Sequence, residues 1–411
     1  MVTYPDDWKT YPFNQLFKLI PNNTLSRDKL ANSGTVGNIH YGDVLIKYGD
    51  IISNEDEIPR IREDIGFVAE NPLQKNDVIL ADTAEDEAVG KVSQVGSISI
   101  TLVGGLHTVI CRPNIETADG FLGYYMNSRY YHDQLLPYIT GIKVSSISKK
   151  SLNKTELTIP ANIDEQRNIV EVFQVIDKHI ANLLALIKKK ENIRNGVLED
   201  LISGKTTIEG FCGERKEYVI KDITETVITG GTPSTNRREY YGGNIPWLSS
   251  TEIHQKRITR PTTYISELGL QNSSAKIAPE KSVLIALAGQ GKTRGTVAYL
   301  TRPMALNQSL AALVTNDKCN PEFLYYLIES MYLLLRELSS GDGGRGGLNK
   351  KLIEGISVVI PEDIVEQEAI AKTLSLMDEE IEALEVERDK IIQIREGAMD
   401  DLLTGRVRLK T

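Results

Sequence analysis

Cysteine is scarce in this sequence: Cys111, Cys212 and Cys319 are the only three in 411 residues, and no two stand in a CxxC spacing. That excludes a disulfide framework or zinc knuckle and leaves incidental or buried free thiols. Long apolar runs are also missing, since none approaches the roughly 20 residues that a bilayer-spanning helix needs. The opening MVTYPDDWKTYPF has neither the basic start nor the apolar stretch of a secretory signal, so a cytoplasmic location without membrane contact is expected. His40, His107, His132, His179 and His254 form no HExxH-like ligand spacing, and no metal site is expected. PDDWK at Pro5 to Lys9 carries acids and a lysine, but metal-dependent nucleases spread those groups over separate strands.

Two further absences bear on catalysis. AGQGKT at Ala288 to Thr293 resembles the end of a phosphate-binding loop, but alanine stands at position 286 where the first glycine belongs. RGTVAYLTRP follows, which reads as turn and strand and supplies no helix N-terminus for phosphates. An adenine methylase needs an Asp/Asn-Pro-Pro-aromatic loop; Asn71-Pro72-Leu73-Gln74 lacks the second proline and the aromatic. The chain is therefore expected to be non-catalytic, with no cofactor of its own. The rival enzyme reading, nucleotide-dependent or a self-contained methyltransferase, is tested by binding of nucleotide or adenosylmethionine to the isolated chain.

What is present is a soluble-type composition, 41% hydrophobic and 25% charged, with a length that suggests two to four domains. The formal net charge of −9 opposes binding to a polyanion, but it is unevenly spread. Residues 361–411 carry −7, 1–159 carry −5, 160–208 are neutral, and 209–360 carry +3.

An ungapped repeat at an offset of 201 residues pairs IPANIDEQRNIVEVFQVID with IPEDIVEQEAIAKTLSLMD. Pro160, Glu165, Gln166, Ile169, Asp177 and Ile180 recur as Pro361, Glu366, Gln367, Ile370, Asp378 and Ile381. Further on, Ile193-Arg194, Gly196 and Asp200-Leu201 recur as Ile394-Arg395, Gly397 and Asp401-Leu402, and LISGK answers LLTGR. Each copy predicts a helix of about 40 residues, roughly 60 Å long, that ends at Gly204 or Gly405. Three-and-four spacing of Ile169, Val172, Ile176, Ile180, Leu183 and Ile187, and of Ile370, Leu374, Met377, Ile381 and Leu384, makes an apolar seam. The second copy is the cheapest partner for the first, as an antiparallel coiled coil.

The segments before the helices diverge but keep one order of events. KNDVILADTAEDEAVGKVSQV and EKSVLIALAGQGKTRGTVAYL both read as strand, turn, strand. FLGYYMNSRYYHDQL and FLYYLIESMYLLLREL follow as helices, then turn-rich stretches. The fold class is therefore α/β (α+β): two mixed domains, 1–159 and 209–360, alternate with helical spacers, 160–208 and 361–411, in a pseudo-two-fold internal repeat.

This order of motifs resembles the specificity subunits of type I restriction-modification systems over essentially the whole chain. The resemblance rests on the paired IP…EQ segments, the LISGK and LLTGR endings, the LNQS of Leu306 to Ser309, and Trp8 and Tyr218 opening the two domains. It implies two target-recognition domains that read unequal halves of a bipartite double-stranded DNA site, with the helices as ruler and docking surface for two DNA-adenine methyltransferase subunits. Adenosylmethionine belongs to those partners, and restriction subunits join through the methyltransferase complex. An unpartnered chain is expected to self-associate as a homodimer through the same surfaces. The competing reading is a coiled-coil protein-interaction scaffold that does not touch DNA.

Candidate DNA-binding residues lie mostly in the second domain. Arg237 and Arg238 follow the turn-forming GGTPSTN, and Gln255, Lys256, Arg257 and Arg260 lie just beyond WLSST. Gln290, Lys292 and Arg294 occupy the glycine loop, with Asn307 and Gln308 in LNQS. Arginine pairs with guanine, and Asn or Gln with adenine, in the major groove. Arg345, Asn349, Lys350 and Lys351 suggest a phosphate clamp in GDGGRGGLNKK; Lys143, Lys149 and Lys150, with Ser145 and Ser146, are its counterpart in the first domain. Most of these should touch phosphate or nothing.

Overall fold

The computed structural model describes residues 3–86, 88–141, 143–211, 213–289, 291–339 and 347–409. The chain forms two compact units, Met1–Leu184 with Val386–Thr411, and Ala185–Glu385. Each long helix gives one half to each unit.

In the first unit a five-stranded sheet has the order Phe17–Ile20, Thr108–Pro113, Val78–Ala81, Val92–Val95, Ile51–Ile52. Its strands VILA and VSQV are buried along their whole length, as expected of strands covered on both faces. A four-stranded sheet, Thr101–Gly104, Val36–Ile39, Arg60–Ile61, Leu30–Ala31, stands beside it, with Thr101–Gly104 parallel to Val36–Ile39. Trp8–Pro12 pairs antiparallel with Glu156–Pro160, so the domain closes where the helix begins. The main core is built from Phe13, Leu16, Val78, Leu80, Phe121, Tyr125 and Tyr131. Phe173 of the first long helix and Leu402 of the second complete it. Cys111 and Cys319 are free and buried, as the sequence suggests, while Cys212 lies outside the described residues.

The second unit repeats the plan. Its five-stranded sheet runs Thr224–Thr229, Leu310–Thr315, Val283–Ala286, Val297–Leu300, Arg257–Ile258, and Arg215–Val219 pairs with Ser357–Pro361. Its four-stranded sheet runs Thr263–Ile265, Tyr241–Leu248, Met304–Leu306, Lys276–Ala278. The Lys276–Ala278 strand extends the sheet beyond Met304–Leu306, whereas the first unit extends its sheet at the opposite edge with Leu30–Ala31. The two domains thus share a frame and differ at the sheet margins. Phe323, Tyr326, Ile353 and Ile360 pack with Leu198, Leu201, Ile370 and Leu374 of the long helices.

The long helices span Ile163–Ser203 and Ile364–Leu402. Asn162 and Asp363 accept the backbone N–H of Asp164 and Val365, each at 2.9 Å, which satisfies a donor that the first turn leaves open. Gly204 and Gly405 take φ of 76° and 70°, the left-handed ending expected of a helix-terminating glycine. In each unit the helix halves run antiparallel. Asp177 and His179 meet Arg395 and Glu387 in the first, and Lys190 and Arg194 meet Glu380 and Asp378 in the second. The repeated glutamine has a structural task as well. Gln166 donates to the Pro160 carbonyl at 2.8 Å and accepts from the Ala118 N–H; Gln367 donates to the Pro361 carbonyl at 2.8 Å and accepts from the Asn320 N–H.

Candidate nucleic-acid interface

In the second domain the segment Gly230-Gly231-Thr232 crosses the end of the Met304–Leu306 strand. A Cβ on Gly230 would stand 1.8 Å from the Leu306 carbonyl oxygen, and one on Gly231 1.9 Å from Ser274 Oγ, so only glycine permits this approach. Gly231 N–H donates to the Leu306 carbonyl, Thr232 Oγ1 donates to Gln308 Oε1 at 2.6 Å, and Trp247 Nε1 donates to the Gly231 carbonyl at 3.1 Å. These bonds tie the turn that carries Arg237 and Arg238 to the edge that carries Gln308. All three of those side chains are exposed, and Arg237 makes a surface ion pair with Glu239 at 3.3 Å.

The other candidates divide. Arg260 and Lys292 are exposed. Gln255 and Lys256 are exposed as well, but with His254 and Arg257 they line a cleft of about 840 Å³ whose opposite wall is Asp378, Glu379, Glu382 and Glu385. They face helix carboxylates. Arg257 is turned inward to Glu322 and to Ser375 Oγ at 3.0 Å, which makes it a packing group rather than an open donor. Arg294 reaches the Ser339 carbonyl at 3.5 Å. Asn307 is buried, and its Oδ1 accepts the Ser309 N–H at 2.9 Å, so its amide shapes the turn. Asn349 caps the Lys350–Glu354 helix through the Leu352 N–H, and Lys350 donates to the Val227 carbonyl at 3.0 Å and pairs with Glu354. Lys351 is exposed. Gln290 and Arg345 lie outside the described residues. In the first domain Lys143, Lys149 and Lys150 are exposed, the last two at the start of a short helix capped by Ser148. The glycine loop leads into the strand Val297–Leu300 rather than into a helix.

Sequence reasoning missed two heavily bonded polar clusters. In the first unit Arg395 binds Asp177 of the first helix and Asp50 of the domain, while Tyr124 donates to Asp177 at 2.8 Å. In the second, Arg194 binds Asp378 at 3.0 Å and Glu329 at 2.6 Å, while Tyr326 donates to Asp378 at 2.9 Å. Each guanidinium also lies over its tyrosine ring, 5.8 and 5.4 Å from the centroids. Burial pushes the Asp50 and Glu329 carboxyls above the usual range even with an arginine beside each. The repeat marks Asp177, Arg194, Asp378 and Arg395 but gives no sign of their domain partners.

A family model described as the type I restriction modification DNA specificity domain matches residues 5–193 and again 214–393. A Methanocaldococcus jannaschii protein, provisionally named the type I restriction enzyme MjaX specificity subunit, is 22% identical over 99% of this chain and 95% of its own length. The EcoR124I/EcoR124II specificity subunit of Escherichia coli is 26% identical over 56% of this chain and 57% of its own. Among solved structures, the S subunit of a type I restriction-modification system from M. genitalium superposes with a TM-score of 0.61 at 17% identity, covering 96% of both chains. Two matches to one domain, one on each half of the repeat, carry the conclusion that this chain belongs to the type I restriction-modification DNA specificity family.

Proposed function

We propose that this chain reads an asymmetric, bipartite DNA target, one half-site per domain, and carries no chemistry of its own. Two DNA-adenine methyltransferase subunits dock on its helices and bring adenosylmethionine; restriction subunits join through them. The observation that carries the reading is the repeat itself. Arginine clusters, helix caps and sheet frame are duplicated, while the sheet margins and exposed loops differ between the domains. A duplicated frame offers equivalent seats to two copies of one partner, and divergent margins offer two different reading surfaces. In the second domain the reading edge is that of Arg237, Arg238 and Gln308, with Arg260 and Lys292 on phosphates; Lys143, Lys149 and Lys150 serve the first domain.

Footprinting of the complex assembled with its methyltransferase tests this. Two unequal protected segments separated by an unprotected spacer are expected; a single continuous footprint, or none, contradicts the reading.

A further inference from the structure

The two arginine clusters repeat with one informative irregularity. Arg395 and Arg194 are equivalent by the 201-residue offset, as are their helix partners Asp177 and Asp378. Their domain partners are not equivalent. Strand register places Ile51 opposite Gln94 and Arg257 opposite Tyr299, so Lys256 stands where Asp50 stands in the first unit. Tyr124 and Tyr326 correspond, so Asn127 stands where Glu329 stands in the second. Asn127 donates to Asp50 at 2.7 Å. The domain carboxylate has therefore moved from one element to another, yet each guanidinium still receives one helix carboxylate and one domain carboxylate.

A bare helix-to-helix ion pair needs only the aspartate. The additional, domain-borne acid joins the recognition domain to both helix segments through a single planar group. Arg194 is suited to that, with a side chain 6% exposed and bonds to both acids, because a buried fork of charge-assisted hydrogen bonds tolerates little rotation.

We propose that Arg395 and Arg194 are positioning residues that fix the attitude of each recognition domain on its helix segments, and so set how strictly half-site spacing is read. The proposal rests on the bipartite reading above. One base pair more or less in a spacer moves a half-site by about 3.4 Å and turns it by about 35°. A domain held by its arginine cannot follow such a change; a loosened one can.

The test uses the chain assembled with its methyltransferase subunits. Methylation rates are measured on duplexes with the natural spacer and with one base pair removed or added. Glu329→Gln and Asp50→Asn each leave the helix-to-helix pair in place. Each is expected to lower the preference for the natural spacer by about tenfold, with half-site sequence preference unchanged. Tyr326→Phe, which removes one hydroxyl and keeps the ring, shifts the ratio in the same direction by a smaller factor and serves if a carboxylate variant fails to assemble. An unchanged ratio, or an equal fall on all three duplexes, overturns the proposal. A wild-type complex that recognises no bipartite site overturns the underlying reading as well, and that is seen before any variant is compared.

Discussion

Arg237 and Arg257 show how one residue type, twenty positions apart, is put to opposite uses. Arg237 is exposed in the turn that follows Thr232, itself bonded to Gln308, whereas Arg257 is held by Glu322 and Ser375. Replacing Arg237 and Arg238 by alanine should weaken DNA binding by the assembled complex. The slope of log affinity against log salt should fall by about one for each phosphate that an arginine no longer neutralises. Arg257→Ala should leave that slope unchanged; a slope altered only by the Arg257 variant would reverse the assignment. The half-buried acids of the two arginine clusters predict a pH effect of defined sign. Asp50 and Glu329 have folded-state pKa values raised by burial, so their contribution to stability is fullest below the unfolded value and is lost as pH rises through the folded one. Denaturant midpoints measured across the acid range should show this in the wild type and less of it in Asp50→Asn and Glu329→Gln; identical profiles contradict it. Asp7 has the opposite sign, since its hydrogen bonds from Arg408 lower its pKa. Its contribution is present above the usual aspartate range and lost as pH falls through the folded value. Arg194 and Arg395 are legible as a matched pair in the sequence, but their use is not, because Glu329 and Asp50 lie 135 and 345 residues away.

At the scale of elements, local chemistry is the most readable part of the sequence. The first helix ends at Ser203, next to the glycine that it marks, and the second at Leu402, three residues before Gly405. The seam positions Ile169, Leu183, Ile187, Ile370, Leu374 and Ile381 are buried, whereas Val172, Ile176, Ile180, Met377 and Leu384 are half-buried. Phe173, four residues after Ile169 and equivalent to Leu374 by the 201-residue offset, takes the same buried place; its aromatic partner Tyr124, with ring centroids 4.9 Å apart, is what the spacing does not show. Sheet order is not readable, because pairings such as Trp8 with Pro160 join residues distant in sequence. Residue type alone suggests that Asn307 reads adenine; instead a two-residue turn engages its amide, a local competition that side-chain chemistry does not reveal until the backbone is placed. The helix ends make a direct prediction. Gly204→Ala forces a side chain into left-handed backbone and to within 2.6 Å of Arg215 Nε, and should cost about 1 kcal/mol or more. Thermal denaturation checks it, and an unchanged midpoint would show that the helix end relaxes freely.

For the whole molecule, the repeat decides more than the net charge does. The −9 total argues against a polyanion partner, yet the second domain is basic, and its exposed Arg237 and Arg238 stand together at one edge. Four of the first domain's acids, Asp43, Asp50, Asp77 and Asp119, are paired with Arg27, Arg395, Arg112 and Lys75, and of these bases only Arg395 comes from outside the domain. No described helix is long and apolar enough to cross a membrane. Family membership and the duplicated frame together lead to the proposal that this chain chooses where a partner methylates DNA. The decisive measurement is genome-wide mapping of methylated adenines with and without this gene. Deletion should abolish methylation at one asymmetric motif of two unequal halves separated by a fixed unread spacer. Identical methylation maps, or loss confined to an undivided motif, would contradict the proposal.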